Sequence, residues 1–223
     1  MTAKRSCVLL LRDGHYLNPS AALICRASLQ VVAAVESRDV DEARLAALKP
    51  DVVLSFLNEY ILRGPLLGIQ GINFHPAPPN YPGRGGASLA LFDGENSYGA
   101  TAHMIEAAVD SGAIVAVRRF AIEADDGCDA VYARAEIAAL ELFIEIVDRY
   151  GKSGEIGRDA DATWGRKPTT KREFQDWLVA DPADPATFTR KVRAARHPRF
   201  PGPFVDIHGF RFAYHCDLER PAT

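Results

Sequence analysis

Four short apolar runs set the rhythm of the first half of this chain, at residues 7–11, 31–35, 51–56 and 71–75, with helical stretches at 20–29 and 40–48 between them. Runs this continuous leave no side for water, the pattern of strands covered on both faces. The second helical stretch sets Asp41, Glu42 and Arg44 opposite alanines and leucines, and Pro50 stops it one residue before the next strand. Strand and helix alternating at this spacing give βαβ units and an α/β fold with an open, mostly parallel sheet. Such sheets carry their chemistry at the carboxyl ends of the strands.

The centre changes character. Residues 76–86 read Pro-Ala-Pro-Pro-Asn-Tyr-Pro-Gly-Arg-Gly-Gly, a composition that excludes regular structure and predicts an irregular loop. A short helix at 87–92, strands at 98–105 and 113–122, and a long helix over 129–150 follow. Val131, Ala135, Ala138, Leu142 and Ile146 give that helix a core-facing stripe. Beyond it, Thr170 and Glu173 form a capping box for a helix over 170–178, a second helix spans 185–195, and residues 204–214 read as a hairpin turning at His208-Gly209. The expected organisation is a core at 1–150, a linker at 151–169 and a small helical and hairpin extension at 170–223.

Composition narrows the partners. Across 223 residues, 26 Lys+Arg against 29 Asp+Glu leave a formal charge of -3, which supplies no chain-wide field for nucleic acid or anionic lipid. No apolar run approaches the roughly 18 residues of a membrane span. The five apolar residues after Arg5 are too few for a signal h-region of about 7–15 residues. Cys7, Cys25, Cys128 and Cys216 form no C-x-x-C pair, so reduced thiols and a cytoplasmic setting are expected rather than a disulfide framework or zinc site.

Candidate chemistry gathers around Asn73-Phe74-His75-Pro76. Period-two alternation puts Asn73 and His75 on one face at the end of a strand, and Thr101 and His103 on one face of another. Asp110 follows in the tight turn Val109-Asp110-Ser111-Gly112. An amide, an imidazole and a carboxylate suit attack by a neutral amine on a carbonyl, which needs an oxygen-facing donor and a group to handle the amine proton. The residues alone leave two other readings open: a metal site of His75, His103 and Asp110, and a binding module without turnover.

Asn73-Phe74-His75-Pro76, the Pro/Gly/Arg loop, Gly99-x-Thr101-x-His103 and Val109-Asp110-x-Gly112-x-Ile114 resemble, in order and spacing over about residues 51–122, the formyltransferases that use N10-formyltetrahydrofolate. That family includes methionyl-tRNA formyltransferase, glycinamide ribonucleotide transformylase and the sugar N-formyltransferases. The resemblance implies a Rossmann-like formyltransferase sheet with Asn73, His75 and Asp110 as catalytic residues. Asn73 would donate to the formyl oxygen, a hydrogen-bonding or protonated His75 would stabilise the oxyanion, and Asp110 would orient His75 and move the amine proton through water. A neighbouring carboxylate favours the protonated imidazole. The resemblance also implies a folate pocket at Phe56, Tyr60, Ile61, Leu62, Val109, Asp110 and Gly112, in which the backbone of the segment from Phe56 to Leu62 meets the pterin, substrate contacts from Arg84, Thr101 and His103, and no metal.

The loop departs from the Ser-Leu-Leu-Pro continuation common in the family, reading Ala77-Pro78-Pro79-Asn80-Tyr81-Pro82, and the half before Asp51 is short. The segment with Arg190, Lys191, Arg193, Arg196, His197 and Arg199 ahead of Pro201-Gly202 is similar to the linker after the catalytic domain in both tRNA and sugar formyltransferases, and a short helix-and-hairpin tail fits the sugar N-formyltransferases best. The expected acceptor is thus the amine of a nucleotide-linked amino-deoxysugar, which implies a place in lipopolysaccharide O-antigen biosynthesis. Glycinamide ribonucleotide, methionyl-tRNA and a non-catalytic folate or nucleotide binder are the alternatives. The basic run reads as a solvated face, His15, His197, His208 and His215 as surface or locally bonded residues, and Trp164 and Trp177 as packing anchors. The hairpin edges are a candidate surface for pairing as a homodimer.

Overall fold

Strand β1 (Ser6–Leu11), buried from Cys7 onward, is flanked on both sides, running parallel to β2 (Gln30–Glu36) and to β3 (Val52–Phe56). The computed structural model describes residues 4–198 and 202–215; Arg199, Pro201 and Cys216 lie outside them. Strand β4 (Gly71–His75) adds parallel to β3, β5 (Ser97–Met104) runs antiparallel to it, and β6 (Ile114–Ala121) reverses again. The sheet order is β2-β1-β3-β4-β5-β6. Five of its strands share one direction and only β5 opposes them, so the mostly parallel α/β expectation holds.

Three of the four apolar runs, in β1, β3 and β4, lie inside the sheet with both faces covered. The run in β2, expected to be covered likewise, forms the sheet's edge and is only half-buried because no strand flanks its outer side. On one face, Leu9, Leu11, Leu54, Phe56, Ile72 and Phe74 pack under α1 (Asn18–Ser28) and the long α4 (Cys128–Ser153), which supplies Leu142, Phe143 and Ile146. Phe56, Phe74 and Phe143 form an aromatic knot with ring centroids 4.8 to 6.4 Å apart; burying each such ring contributes about 1.5–3 kcal/mol. On the other face, Val8, Leu10 and Val53 meet Leu45, Leu62 and Leu66. Leu45 belongs to α2 (Glu42–Ala46), shorter than the expected 40–48 because Val40 is extended and the helix starts at an Asp41 cap, which accepts the Arg44 N–H at 3.0 Å.

Helix α3 (Gly86–Asp93) follows the Pro/Gly loop. Helix α5 (Lys171–Trp177) carries the expected capping box and α6 (Pro185–Ala195) the expected bounds. Hairpin β7 (Phe204–Ile207) and β8 (Phe210–Ala213) hydrogen-bonds to the end of α5 through Phe204 and Ala180. The basic run is not simply a solvated face: Arg190 lies over Phe92, and Lys191 lies over Trp177 while donating to Val179 O at 2.7 Å.

His15 also differs from its expected surface place. Its side chain is 8% exposed, and Nε2 sits 3.0 Å from Oε1 of Glu136, a buried carboxylate in the middle of α4. Arg12 and Tyr16 converge on the same group. A charge buried in a helix face is sustained only when partners compensate it.

Candidate active site

Three adjacent strands bring a row of polar side chains to one place. Asn73 pairs in register with Ser55 of β3 on one side and His103 of β5 on the other, and His75 pairs with Thr101. The Ser55 hydroxyl donates to Asn73 Oδ1 at 2.8 Å, which fixes the amide's orientation and turns Nδ2 toward His103 Nε2 at 3.0 Å. An amide nitrogen carries two hydrogens, so one N–H remains for a ligand oxygen. Sequence reasoning missed Ser55, although it is the one hydroxyl in the otherwise apolar run Val52-Val53-Leu54-Ser55-Phe56.

Asp110 arrives from the turn after β5 with φ of 42°. Gly112 permits that turn, since a Cβ there would run into the Met104 carbonyl. Asp110 Oδ1 lies 3.2 Å from His103 Nε2 and Oδ2 lies 3.5 Å from His75 Nε2, while Oδ2 accepts the Gly83 N–H at 2.8 Å. His103 Nδ1 donates to Met104 O at 2.8 Å. Its Nε2 faces both the Asn73 amide and the Asp110 carboxylate; as a lone pair it accepts from Asn73 and as N–H it donates to Asp110, so the nitrogen serves one of them at a time.

Burial would raise the Asp110 carboxyl, but His75, His103 and the Gly83 N–H outweigh it and hold the group well below the usual carboxylate range. His75 goes the other way from expectation. Burial pushes its imidazole below the ordinary value more strongly than Asp110 raises it, so the resting ring favours the neutral form. The expectation of a protonated His75 weighed the neighbouring charge without the cost of desolvation.

The Pro/Gly loop is held over this row by the segment the sequence marked as a linker. Thr169 donates to Pro82 O and accepts from Arg84 N–H, and Gly165 donates to Pro79 O. Trp164, expected as a packing anchor, places its ring edge-on to His103 and donates Nε1–H to Gly112 O at 2.8 Å. It is thus part of the site wall, which nothing local to its polar segment signals.

The other expected residues divide. Thr101 is fully buried and its hydroxyl donates to Ala77 O at 2.7 Å, so it anchors the loop instead of meeting substrate; His103 is likewise enclosed by Asn73, Asp110 and Trp164. Phe56 lies wholly in the core and Leu62 in the opposite cluster, so neither ring nor side chain is open to a ligand. Tyr60, Ile61 and Val109 are exposed. Glu42, not anticipated, holds the Tyr60 loop by accepting the N–H groups of Arg63 and Gly64, both at 2.8 Å. Arg84 is half exposed and pairs with Glu59 at 3.4 Å. Among the described residues no group of three or more His, Cys, Asp or Glu side chains is arranged to hold a metal.

An open α/β sheet with an amide, an imidazole and a carboxylate converging at its fourth strand is the Rossmann-like formyltransferase fold. A family model described as formyl transferase matches residues 19–147, more than half of the chain, and the chain belongs to that family of formyl-transfer enzymes. Among solved structures it is similar to Rv3404c of Mycobacterium tuberculosis, to which sugar N-formyltransferase activity is ascribed: 25% identity, 98% of this chain and 100% of that one covered, TM-score 0.79. A 4-N formyltransferase from Francisella tularensis shares the fold at 17% identity, covering 97% and 99% of the two chains with a TM-score of 0.79. The N-formyltransferase of Helicobacter canadensis, in complex with folinic acid and dTDP-3-aminofucose, shares it at 14% identity, covering 92% and 84% with a TM-score of 0.66.

Proposed function

We propose that this chain transfers the formyl group of N10-formyltetrahydrofolate to the amine of a nucleotide-linked amino-deoxysugar, with Asn73, His75 and Asp110 as the catalytic residues. The observation that carries the reading is the convergence of the Ser55, Asn73, His103, Asp110 and His75 side chains at the carboxyl edge of the sheet. Exposed Tyr60, Ile61 and Val109 suit the flat pterin of a folate. End-to-end similarity to Rv3404c and the folinic acid and dTDP-3-aminofucose complex of a more distant neighbour support the donor and the acceptor class.

The residues divide the work. Asn73 directs its free N–H to the formyl oxygen, where negative charge develops as the acceptor nitrogen bonds to the formyl carbon. His75, neutral at rest, provides the second hydrogen-bonding group beside that oxygen. Asp110 stays ionised and holds His75, and a water against its carboxylate carries the ammonium proton to N10 as the old C–N bond breaks. The products are a formamide and tetrahydrofolate. Water-soluble substrates of this kind suit a cytoplasmic enzyme, and no helix among the described residues is long and apolar enough to cross a membrane.

The test is an acceptor screen with N10-formyltetrahydrofolate and a panel of amino-sugar nucleotides, with glycinamide ribonucleotide and methionyl-tRNA as controls. Formylation of a sugar nucleotide, abolished by His75→Ala and by Asp110→Asn in folded protein, is the expected result. Transfer to a control alone overturns the acceptor class, and folate binding with no transfer to any amine overturns the catalytic reading. Val205, Ile207, Phe210 and Phe212 share one exposed side of the hairpin, by their register, which suits pairing with a second copy; light scattering on the double variant Phe210→Ser, Phe212→Ser checks it.

A further inference from the structure

Two arginines from separate loops meet on a single carboxylate at the carboxyl edge of the sheet. Arg12, the first residue after β1, places Nη2 3.4 Å from Glu59 Oε1, and Arg84, from the Pro/Gly loop after β4, places Nη2 3.4 Å from Glu59 Oε2. Glu59 itself stands in the loop after β3. The chain passes from β1 outward to β2 and then back across to β3, so the order reverses between β1 and β3. That reversal opens the crevice in which sheets of this kind take ligands.

We propose that Arg12 and Arg84 form a clamp for a diphosphate group, and that Glu59 fills it as an internal stand-in until an anionic substrate displaces it. The proposal deepens the sugar-nucleotide reading by naming the residues that would hold the acceptor's diphosphate.

Three features favour a displaceable carboxylate over a permanent bridge. Both contacts are long for charge-assisted hydrogen bonds, which close to about 2.7–2.9 Å when settled. The Glu59 side chain is 43% exposed and that of Arg84 49%, so water and a ligand reach the pair. Among the described residues the Glu59 carboxylate is held only by the two arginines, while its backbone N–H is tied to Ser37 Oγ at 3.2 Å. The carboxylate can therefore swing out while the loop stays.

Arg12, by contrast, is set in advance. Arg12 Nη1 is held by Tyr132 OH at 3.0 Å and by the buried Glu136 Oε1 at 3.2 Å, which leaves Nη2 toward Glu59. Arg84 has its backbone placed by the N–H it donates to Thr169 O at 2.8 Å, while its half-exposed guanidinium turns with Glu59 as partner. Preorganised donors bind an anion without the cost of ordering long side chains, and a guanidinium presents paired N–H groups that match phosphate oxygens. Arg84 also follows Gly83, whose N–H is on Asp110. A molecule with its diphosphate on the clamp thus has the rest of its length beside the catalytic carboxylate.

The experiment is calorimetric titration of the full chain with inorganic pyrophosphate, without folate or amine. Glu59→Gln keeps the side chain's shape and removes its charge, and pyrophosphate is expected to bind about five- to tenfold tighter to it than to the wild type. Arg84→Ala is expected to weaken binding about tenfold and to cancel the gain when combined with Glu59→Gln. Arg12→Ala would strand the buried Glu136, so the arginine arm rests on Arg84→Ala and Arg84→Lys, each checked by thermal melting. Unchanged or weaker binding to Glu59→Gln, or a gain that survives Arg84→Ala, overturns the clamp. Because no formyl group is involved, failure here leaves the transferase reading standing, and failure of the acceptor screen leaves the clamp standing.

Discussion

Trp164 stands edge-on to His103, with ring centroids 5.1 Å apart and planes at 82°, and the same indole donates to the carbonyl of Gly112 two residues beyond Asp110. One side chain from outside the sheet therefore braces both the ring that lies between Asn73 and Asp110 and the turn that presents Asp110. Trp164→Phe should retain the ring contact and lose only the hydrogen bond, costing about 0.5–1.5 kcal/mol. Trp164→Ala should cost about 1–3 kcal/mol by losing both. Urea denaturation measures the stability, and a fall in kcat larger for Ala than for Phe would show that the brace reaches the chemistry.

Ser55 orients Asn73 and touches nothing that reacts. Ser55→Ala leaves the Asn73 carbonyl oxygen without its donor, a loss of about 1–3 kcal/mol. If the freed amide turns, its N–H no longer meets the formyl oxygen in the transition state, and kcat should fall about tenfold with KM little changed. Steady-state kinetics of formyl transfer distinguish this from a general loss of binding, which would raise KM instead.

Acid should destabilise the fold in two separable windows. His75 has a folded value below its ordinary one, so as pH falls through about 6.5 the unfolded chain takes up a proton that the native chain refuses. Stability from this residue is complete above that pH and declines below it. Asp110 is held low in the same sense, so its contribution is complete above about pH 4 and is lost as the pH falls further. Urea midpoints against pH should flatten between about pH 5 and 7 in His75→Gln and below about pH 4 in Asp110→Asn. An unchanged slope in His75→Gln would contradict the burial-dominated imidazole.

Gly83 has φ of 84°, and a Cβ there would collide with the backbone of Thr169. Gly83→Ala should therefore push the 163–169 strap off the loop and withdraw the N–H from Asp110. The strained backbone alone costs about 1–3 kcal/mol. Circular dichroism melts should show the loss, with activity falling further than stability because the carboxylate loses a donor.

Glu136 anchors Arg12, His15 and Tyr16 from within α4. Glu136→Ala leaves the largely enclosed Arg12 guanidinium without its inner partner, at a cost of about 3–5 kcal/mol. Glu136→Gln, which keeps hydrogen-bonding capacity, should cost clearly less. Equal melting temperatures for the two variants would show that the charge is not what the cluster needs.

Much of the site was legible from local pattern. Asn73 and His75 share a face because a strand alternates every two residues, and Asp110 with Gly112 marks a turn within four residues of chain. On the expected folate side, the side chains of Tyr60, Ile61 and Val109 are open while those of Phe56 and Leu62 belong to apolar clusters on opposite faces of the sheet, a division that apolarity alone does not reveal. Glu42 and Glu136 sit in helices where an acidic residue ordinarily faces water, so their burial had no signal in composition.

The sequence by itself determined the strands, the helices, the α/β class and the shared face of Asn73 and His75, because each follows from periodicity or turn chemistry over a few residues. The catalytic reading of Asn73, His75 and Asp110 rests on the family resemblance of their motifs. Tertiary structure alone decided that Ser55 and His103 flank Asn73, that Trp164 and Thr169 brace the loop, and that Arg12, Glu59 and Arg84 meet. Those partners are separated by 18 to 87 residues of chain, and only the packed fold brings them together. The protonation of His75 belongs to the same class, since burial is a property of the packed sheet and overrides the neighbouring charge that the sequence suggested.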